Sequence, residues 1–97
     1  MKIATIGTGF IVEWFLSAAA FVAEAEPYAV YSRTMENAER IANQFHIPKV
    51  YTDVKEMLAD PEVECVYVAS PNSLHFTHAY QALQAGKHVI CEKPFTS

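Results

Sequence analysis

Lys2-Ile3-Ala4-Thr5-Ile6 reads as a β-strand and runs directly into Gly7-Thr8-Gly9-Phe10-Ile11-Val12, where a long apolar helical pattern begins. A glycine pair in this strand–turn–helix setting suits chemistry on an anion. Gly7 lets the backbone turn sharply off the strand, and Gly9, without a side chain, lets a pyrophosphate approach the main chain. The free N–H groups of the first helical turn then face that anion, with the helix dipole behind them. The residues by themselves leave open a plain strand–helix turn. Val12 also stands where the dinucleotide fingerprint carries a third small residue, and a slightly wider helix–strand gap would have to absorb it.

A second stretch, Tyr31-Ser32-Arg33-Thr34, follows the next strand-like run. An acidic residue at this point would accept hydrogen bonds from an adenosine ribose and select NAD; none is present. Arg33 offers a positive fork, and Ser32 and Thr34 offer hydroxyls, all suited to a 2′-phosphate. The stretch therefore points to NADP over NAD, the competing reading being that Arg33 is an ordinary solvated residue at a helix start. The missing acid also weighs against a methyltransferase, and the absence of any Gly-Lys-Ser or Gly-Lys-Thr excludes a P-loop.

These stretches need a scaffold, and the chain supplies one by alternating strands and helices. The first helix is expected from about Gly9 to Ala25. A second strand follows at Tyr28–Tyr31, started by Pro27, and Thr34 caps a second helix over Met35–Phe45 with Ala38, Ile41, Ala42 and Phe45 on one face. A short strand at Val50–Tyr51 precedes a third helix, capped by Thr52 or Asp53, with Val54, Met57 and Leu58 facing inward and Asp60-Pro61 stopping it. Val63–Ala69 is apolar at nearly every position, as a central parallel strand should be. A fourth helix is expected over about Ser73–Ala85 with Gly86 as its stop, then a fifth strand at His88–Cys91. The expected fold is α/β, a Rossmann-type parallel sheet in the order 3-2-1-4-5 with helices on both faces and a crevice at the carboxyl ends of the strands.

The first helix carries two apolar stripes, Val12/Phe15/Leu16/Ala19/Val22 and Trp14/Ala18/Phe21/Ala25, which implies a partner surface, either another domain or another copy. A homo-oligomer is the expectation. With 97 residues, 19% charged and a net charge of −4, the chain is one small globular domain and not a nucleic-acid binder. The apolar stretch from Phe10 to Ala23 is broken by Glu13 and Ser17 and is too short to span a membrane, and two glycines and Glu13 inside the would-be apolar core argue against a signal peptide, so a cytoplasmic protein is expected. Cys65 and Cys91 sit in apolar runs and read as buried reduced thiols. His75 and His78, three apart on a helix, lack an evident third ligand, so no metal is expected; His46 and His88 read as structural.

Two further motifs, Ala69-Ser70-Pro71-Asn72-Ser73-Leu74-His75 and Gly86-Lys87-His88-Val89-Ile90-Cys91-Glu92-Lys93-Pro94, complete a pattern that resembles the N-terminal nucleotide-binding domain of the glucose–fructose oxidoreductase / inositol dehydrogenase (Gfo/Idh/MocA) family over the whole chain. The resemblance implies that Gly7, Thr8, Gly9, Phe10 and Ile11 form the phosphate loop and that Ser32, Arg33 and Thr34 hold the adenosine end. It implies that Ala69, Ser70, Pro71, Asn72 and His75 line the path to the nicotinamide. Glu92, Lys93 and Pro94 would stand at its reactive end, with Lys93 as the catalytic lysine. Pro94 disfavours a helical backbone at Lys93, whose ammonium could there orient a substrate hydroxyl as its proton leaves. Family members carry a second α/β domain that completes the site for a sugar, cyclitol or polyol. Residues 1–97 are accordingly expected to be the cofactor half of an oxidoreductase, inactive alone. A stand-alone dinucleotide-binding regulatory module, or an interaction domain with a vestigial loop, are the alternatives.

Overall fold

The computed structural model describes residues 1–7, 9–22, 24–69 and 72–91, with Phe10, residues 72–76 and Cys91 described through their backbone alone. Five strands, β1 (Lys2–Ile6), β2 (Glu26–Tyr31), β3 (Lys49–Tyr51), β4 (Cys65–Val68) and β5 (His88–Cys91), alternate with four helices, α1 (Phe10–Ala19), α2 (Met35–Phe45), α3 (Val54–Leu58) and α4 (Asn72–Gln84). The sheet is parallel throughout, in the order β3-β2-β1-β4-β5, as the sequence pattern implied.

Strand alternation divides the core between two layers. Ala4 and Ile6 of β1 join Val66 and Val68 of β4 under Met57, Leu58 and Ala82, on the side of α3 and α4. Ile3, Val30, Cys65 and Tyr67 face the other way and are covered by Val12 and Leu16 of α1 and by Ala38 and Ile41 of α2. Phe15 stacks on Tyr67 with ring centroids 3.8 Å apart. Cys65 is a buried free thiol, its pKa raised by burial.

The caps follow the residue chemistry. Thr34 Oγ1 accepts from Asn37 N at 3.3 Å to open α2, and Asp53 Oδ1 accepts from Lys55 N at 2.9 Å to open α3. His46 closes α2 in the left-handed region at φ 57°, with its own N–H and that of Ile47 both bonded to Ala42 O. Behind the core, Asp60 staples the loop that leads towards β4. Its Oδ2 accepts from Tyr51 Oη at 2.7 Å and Tyr28 Oη at 2.9 Å, and its carboxyl is held below the usual range chiefly by the Tyr51 bond.

Several boundaries differ from expectation. α1 ends at Ala19, well short of Ala25. The reason is geometric: a parallel crossover must return the chain by one strand length, about 17 Å for five residues. A ten-residue helix covers about 15 Å, whereas a helix to Ala25 would overshoot at about 25 Å. Instead Phe21 N and Val22 N bond to Ala18 O and Ala19 O, tightening the turn, and Glu26 N reaches Met1 O at 2.8 Å. β2 begins earlier than expected, at Glu26, because Pro27 sits within it opposite Ile3. The register then slips by one, Ala4 pairing with Ala29, so that Tyr28 is the extra residue of a bulge. β4 is trimmed to Cys65–Val68, with Val63 and Ala69 bonded outside the strand to Asp60 O and Ile6 O. No helix among the described residues is long and apolar enough to cross a membrane.

Candidate functional site

The last residues of all five strands lie in one row. Tyr51 pairs with Tyr31, Tyr31 with Ile6, Ile6 with Val68, and Val68 with Cys91. The residue after each strand therefore starts a common rim. Three bonds carry the ladder one rung further: Gly7 N donates to Tyr31 O at 3.1 Å, Ser32 N to Tyr51 O at 3.1 Å, and Ala69 N to Ile6 O at 3.0 Å. Gly7, Ser32 and Ala69, which are distant in sequence, are thus brought together along one edge.

The two glycines do different work. Gly7 has φ +114°, and a Cβ there would lie 3.1 Å from Ala69 O and 3.3 Å from Ala69 C, so the fold itself excludes a side chain. Gly9 is the α1 N-cap with φ −80° and ψ −174°, which any residue adopts, and a Cβ there would meet nothing within 4 Å. Its carbonyl accepts from Val12 N and Glu13 N, while no hydrogen bond among the described residues uses the N–H groups of Gly9, Phe10 or Ile11. Three amides at a helix start beside unfilled space form a cradle that a phosphate oxygen fits. The one acid of the first turn, Glu13, is paired with Arg40 at 3.8 Å. Val12 at the third small-residue position is fully buried, its Cγ2 3.6 Å from where a Gly7 Cβ would stand, so the core accommodates it.

At the next rim position Ser32 is 5% exposed and Arg33 is exposed, with no ion pair to it among the described residues. Thr34 is exposed and spends its hydroxyl oxygen on the α2 cap. Ile11 and Ala69 are half-buried. Asn72 and His75 fall in the first turn of α4, with their side chains undescribed. Thr8, Ser70, Pro71, Glu92, Lys93 and Pro94 lie outside the described residues.

The end of β3 belongs to the same rim. There a cleft of about 520 Å³ opens between β2, the start of α3 and α4, lined by Tyr31, Thr52, Asp53, Thr77, His78 and Gln81 among others. His78 is 8% exposed and stands edge-on to Tyr31, their ring centroids 6.1 Å apart. Because Ser32 N is bonded to Tyr51 O, this cleft adjoins the Ser32–Arg33 corner. Its signal in the sequence was the placement of Thr52-Asp53 directly after a strand, the same position that singled out the other rim segments. The two apolar stripes expected on the first helix are cut short by its end at Ala19: Val12, Leu16 and Ala19 are buried on α1 and Trp14 stands 59% exposed there, whereas Phe21 and Val22, 92% and 49% exposed, lie beyond the helix.

Comparison with known proteins agrees with this geometry. The model of the oxidoreductase family with the NAD-binding Rossmann fold matches residues 1–97. The chain is 41% identical over its full length to the scyllo-inositol 2-dehydrogenase (NADP(+)) of Bacillus subtilis and 36% identical over 92% of its length to the 1,5-anhydro-D-fructose reductase of Ensifer adhaerens. It spans only 30% and 27% of those two proteins. Among solved structures, an NAD-binding oxidoreductase from Klebsiella pneumoniae superposes with a TM-score of 0.91 at 37% identity, covering 97% of this chain and 27% of that one. A levoglucosan dehydrogenase in complex with NADH superposes at 0.89 and 30% identity, over 97% and 27% respectively. With its whole length matched and its five strands in the required order, the chain belongs to the Gfo/Idh/MocA oxidoreductase family, as its NAD-binding Rossmann domain.

Proposed function

We propose that residues 1–97 are the cofactor-holding part of an NADP-preferring oxidoreductase acting on a hydroxyl of a sugar, cyclitol or related polyol. The observation that carries this reading is the cradle at α1. One glycine is demanded by the fold and the other is not, yet three N–H groups beside the second face open space. The Gly9, Phe10 and Ile11 amides would hold the pyrophosphate, Arg33 with Ser32 and Thr34 the adenosine 2′-phosphate, and the β3-end cleft the base. The nicotinamide ring, when bound, supplies the hydride acceptor or donor. Ala69, Ser70, Pro71, Asn72 and His75 would line the way to that ring. Lys93, between Glu92 and Pro94, would hold the substrate hydroxyl and move its proton at Nζ. The scyllo-inositol and anhydrofructose enzymes among the relatives support a polyol or sugar substrate, and the first of them is an NADP(+) enzyme by name. A levoglucosan dehydrogenase has been captured with NADH and L-sorbose together.

As the chain spans under a third of its relatives, the substrate pocket is completed by residues beyond these, and the 97-residue chain alone turns over negligibly. The exposed Trp14 and Phe21 support assembly with another copy, which light scattering at increasing concentration would show. Calorimetric titration with NADPH and NADH tests the central reading. NADPH should bind more tightly, and Arg33→Ala should remove most of that preference, about tenfold. Equal affinities, or an Arg33→Ala protein with undiminished preference, overturn the NADP assignment; no binding of either overturns the function.

A further inference from the structure

We infer that Asp53 reads the purine of the dinucleotide and selects an amino-purine over a keto-purine. The inference rests on the proposed seating of a nicotinamide dinucleotide along the rim. The cleft at the end of β3 is of ligand size and adjoins Ser32 and Arg33, so a nucleotide whose ribose reaches Arg33 presents its base here. Two aromatic rings, Tyr31 and the nearly buried His78, form one wall, and Thr52, Asp53, Thr77 and Gln81 supply polar groups.

Among these residues Asp53 carries the one carboxylate. An ionised carboxylate only accepts hydrogen bonds. Adenine offers it the 6-amino donor, whereas hypoxanthine offers a carbonyl oxygen at the same ring position, and two acceptors facing each other repel. Lys55 lines the cleft too and has the opposite preference, but it sits on a long exposed stem. Asp53 is fixed, because its Oδ1 is bonded to Lys55 N at 2.9 Å, which leaves Oδ2 as the oxygen available to a base.

Asp53→Asn separates this role from the helix cap. Asparagine caps as well as aspartate does. Its carbonyl oxygen takes the Lys55 bond, and an amide donor then replaces the second oxygen. The experiment titrates wild type and Asp53→Asn with NADPH and NADH, each against its hypoxanthine counterpart, by calorimetry. Wild type should bind the adenine forms about fivefold more tightly, the worth of one partly exposed charge-assisted hydrogen bond, and Asp53→Asn should bring the ratio to one or invert it. If Asp53→Asn melts differently from wild type, Asp53→Ser, which keeps a capping hydroxyl without a carboxylate, should also bring the ratio to one. Equal affinity of wild type for both bases, or an unchanged ratio in either variant, overturns the inference while leaving dinucleotide binding intact. Failure of wild type to bind any of the four nucleotides removes both the inference and the reading beneath it.

Discussion

The contrast between the two glycines yields a sharp double prediction. In Gly7→Ala the added Cβ meets Ala69 O at 3.1 Å in a backbone region, φ +114°, that side chains avoid. Conformations of that kind cost about 1–3 kcal/mol, and the close contact adds to it. A loss of about 3 kcal/mol corresponds to a fall in melting temperature of roughly 12–24 °C for a domain of this size. Gly9→Ser meets nothing within 4 Å, keeps an allowed conformation and puts a better capping residue at the start of α1. Its stability should match or exceed wild type by up to about 0.5 kcal/mol. The same hydroxymethyl group occupies the approach to the Gly9, Phe10 and Ile11 amides, so dinucleotide affinity should fall at least about tenfold. Thermal melts and calorimetric titrations of the two variants read both quantities. The reasoning fails if Gly9→Ser binds like wild type, or if Gly7→Ala melts at the wild-type temperature.

Thr5 is fully buried in β1, and its Oγ1 has no hydrogen-bond partner among the described residues, so Thr5→Val should stabilise the fold by about 1 kcal/mol, raising the melting temperature roughly 4–8 °C; an unchanged or lower value would show that the hydroxyl is satisfied. His46→Gly removes a side chain from the left-handed cap of α2 and should raise the urea midpoint by the equivalent of about 1 kcal/mol. The Asp60 staple makes stability depend on pH at both ends. The Asp60 carboxyl is lowered, so its contribution is present above the ordinary aspartate pKa and is lost as acid protonates it in the folded state. The Tyr51 phenol is pushed up to about 12, by burial first and the Asp60 bond second, so its contribution holds below pH 10 and fades as pH rises from there towards 12. Tyr51→Phe should cost about 0.5–1 kcal/mol near neutrality and approach wild type at both extremes; a gap independent of pH in urea melts would refute the assignment.

Much of this molecule was legible because local chemistry and global order agreed. Thr34, Asp53 and Gly86 marked helix ends by residue type, and the apolar run of β4 marked the sheet centre. The end of α1 was not legible. Between Ser17 and Pro27 nothing breaks a helix, and the stop is set by where β2 must meet Lys2. The Tyr28 bulge was hidden for a similar reason, since it becomes visible only once Pro27 is seen beside Ile3. At the site, the rim positions after β1, β2 and β4 could be read from strand ends alone. The cleft could not, because Tyr31, Asp53 and His78 come from three elements and meet only in the folded chain. His78 lies three residues from His75 in the chain, yet the ring it packs against in the fold is that of Tyr31, on another element.

Strands that all halt at one level make a flat shelf. A loop rising from such a shelf can gain or lose residues and change the height of one wall without tilting the floor beneath its neighbours. Here the floor runs from Tyr51 through Tyr31, Ile6 and Val68 to Cys91. Retooling the mouth of this domain for a different partner molecule thus requires editing only what stands above that line, with the packed layers below left as they are.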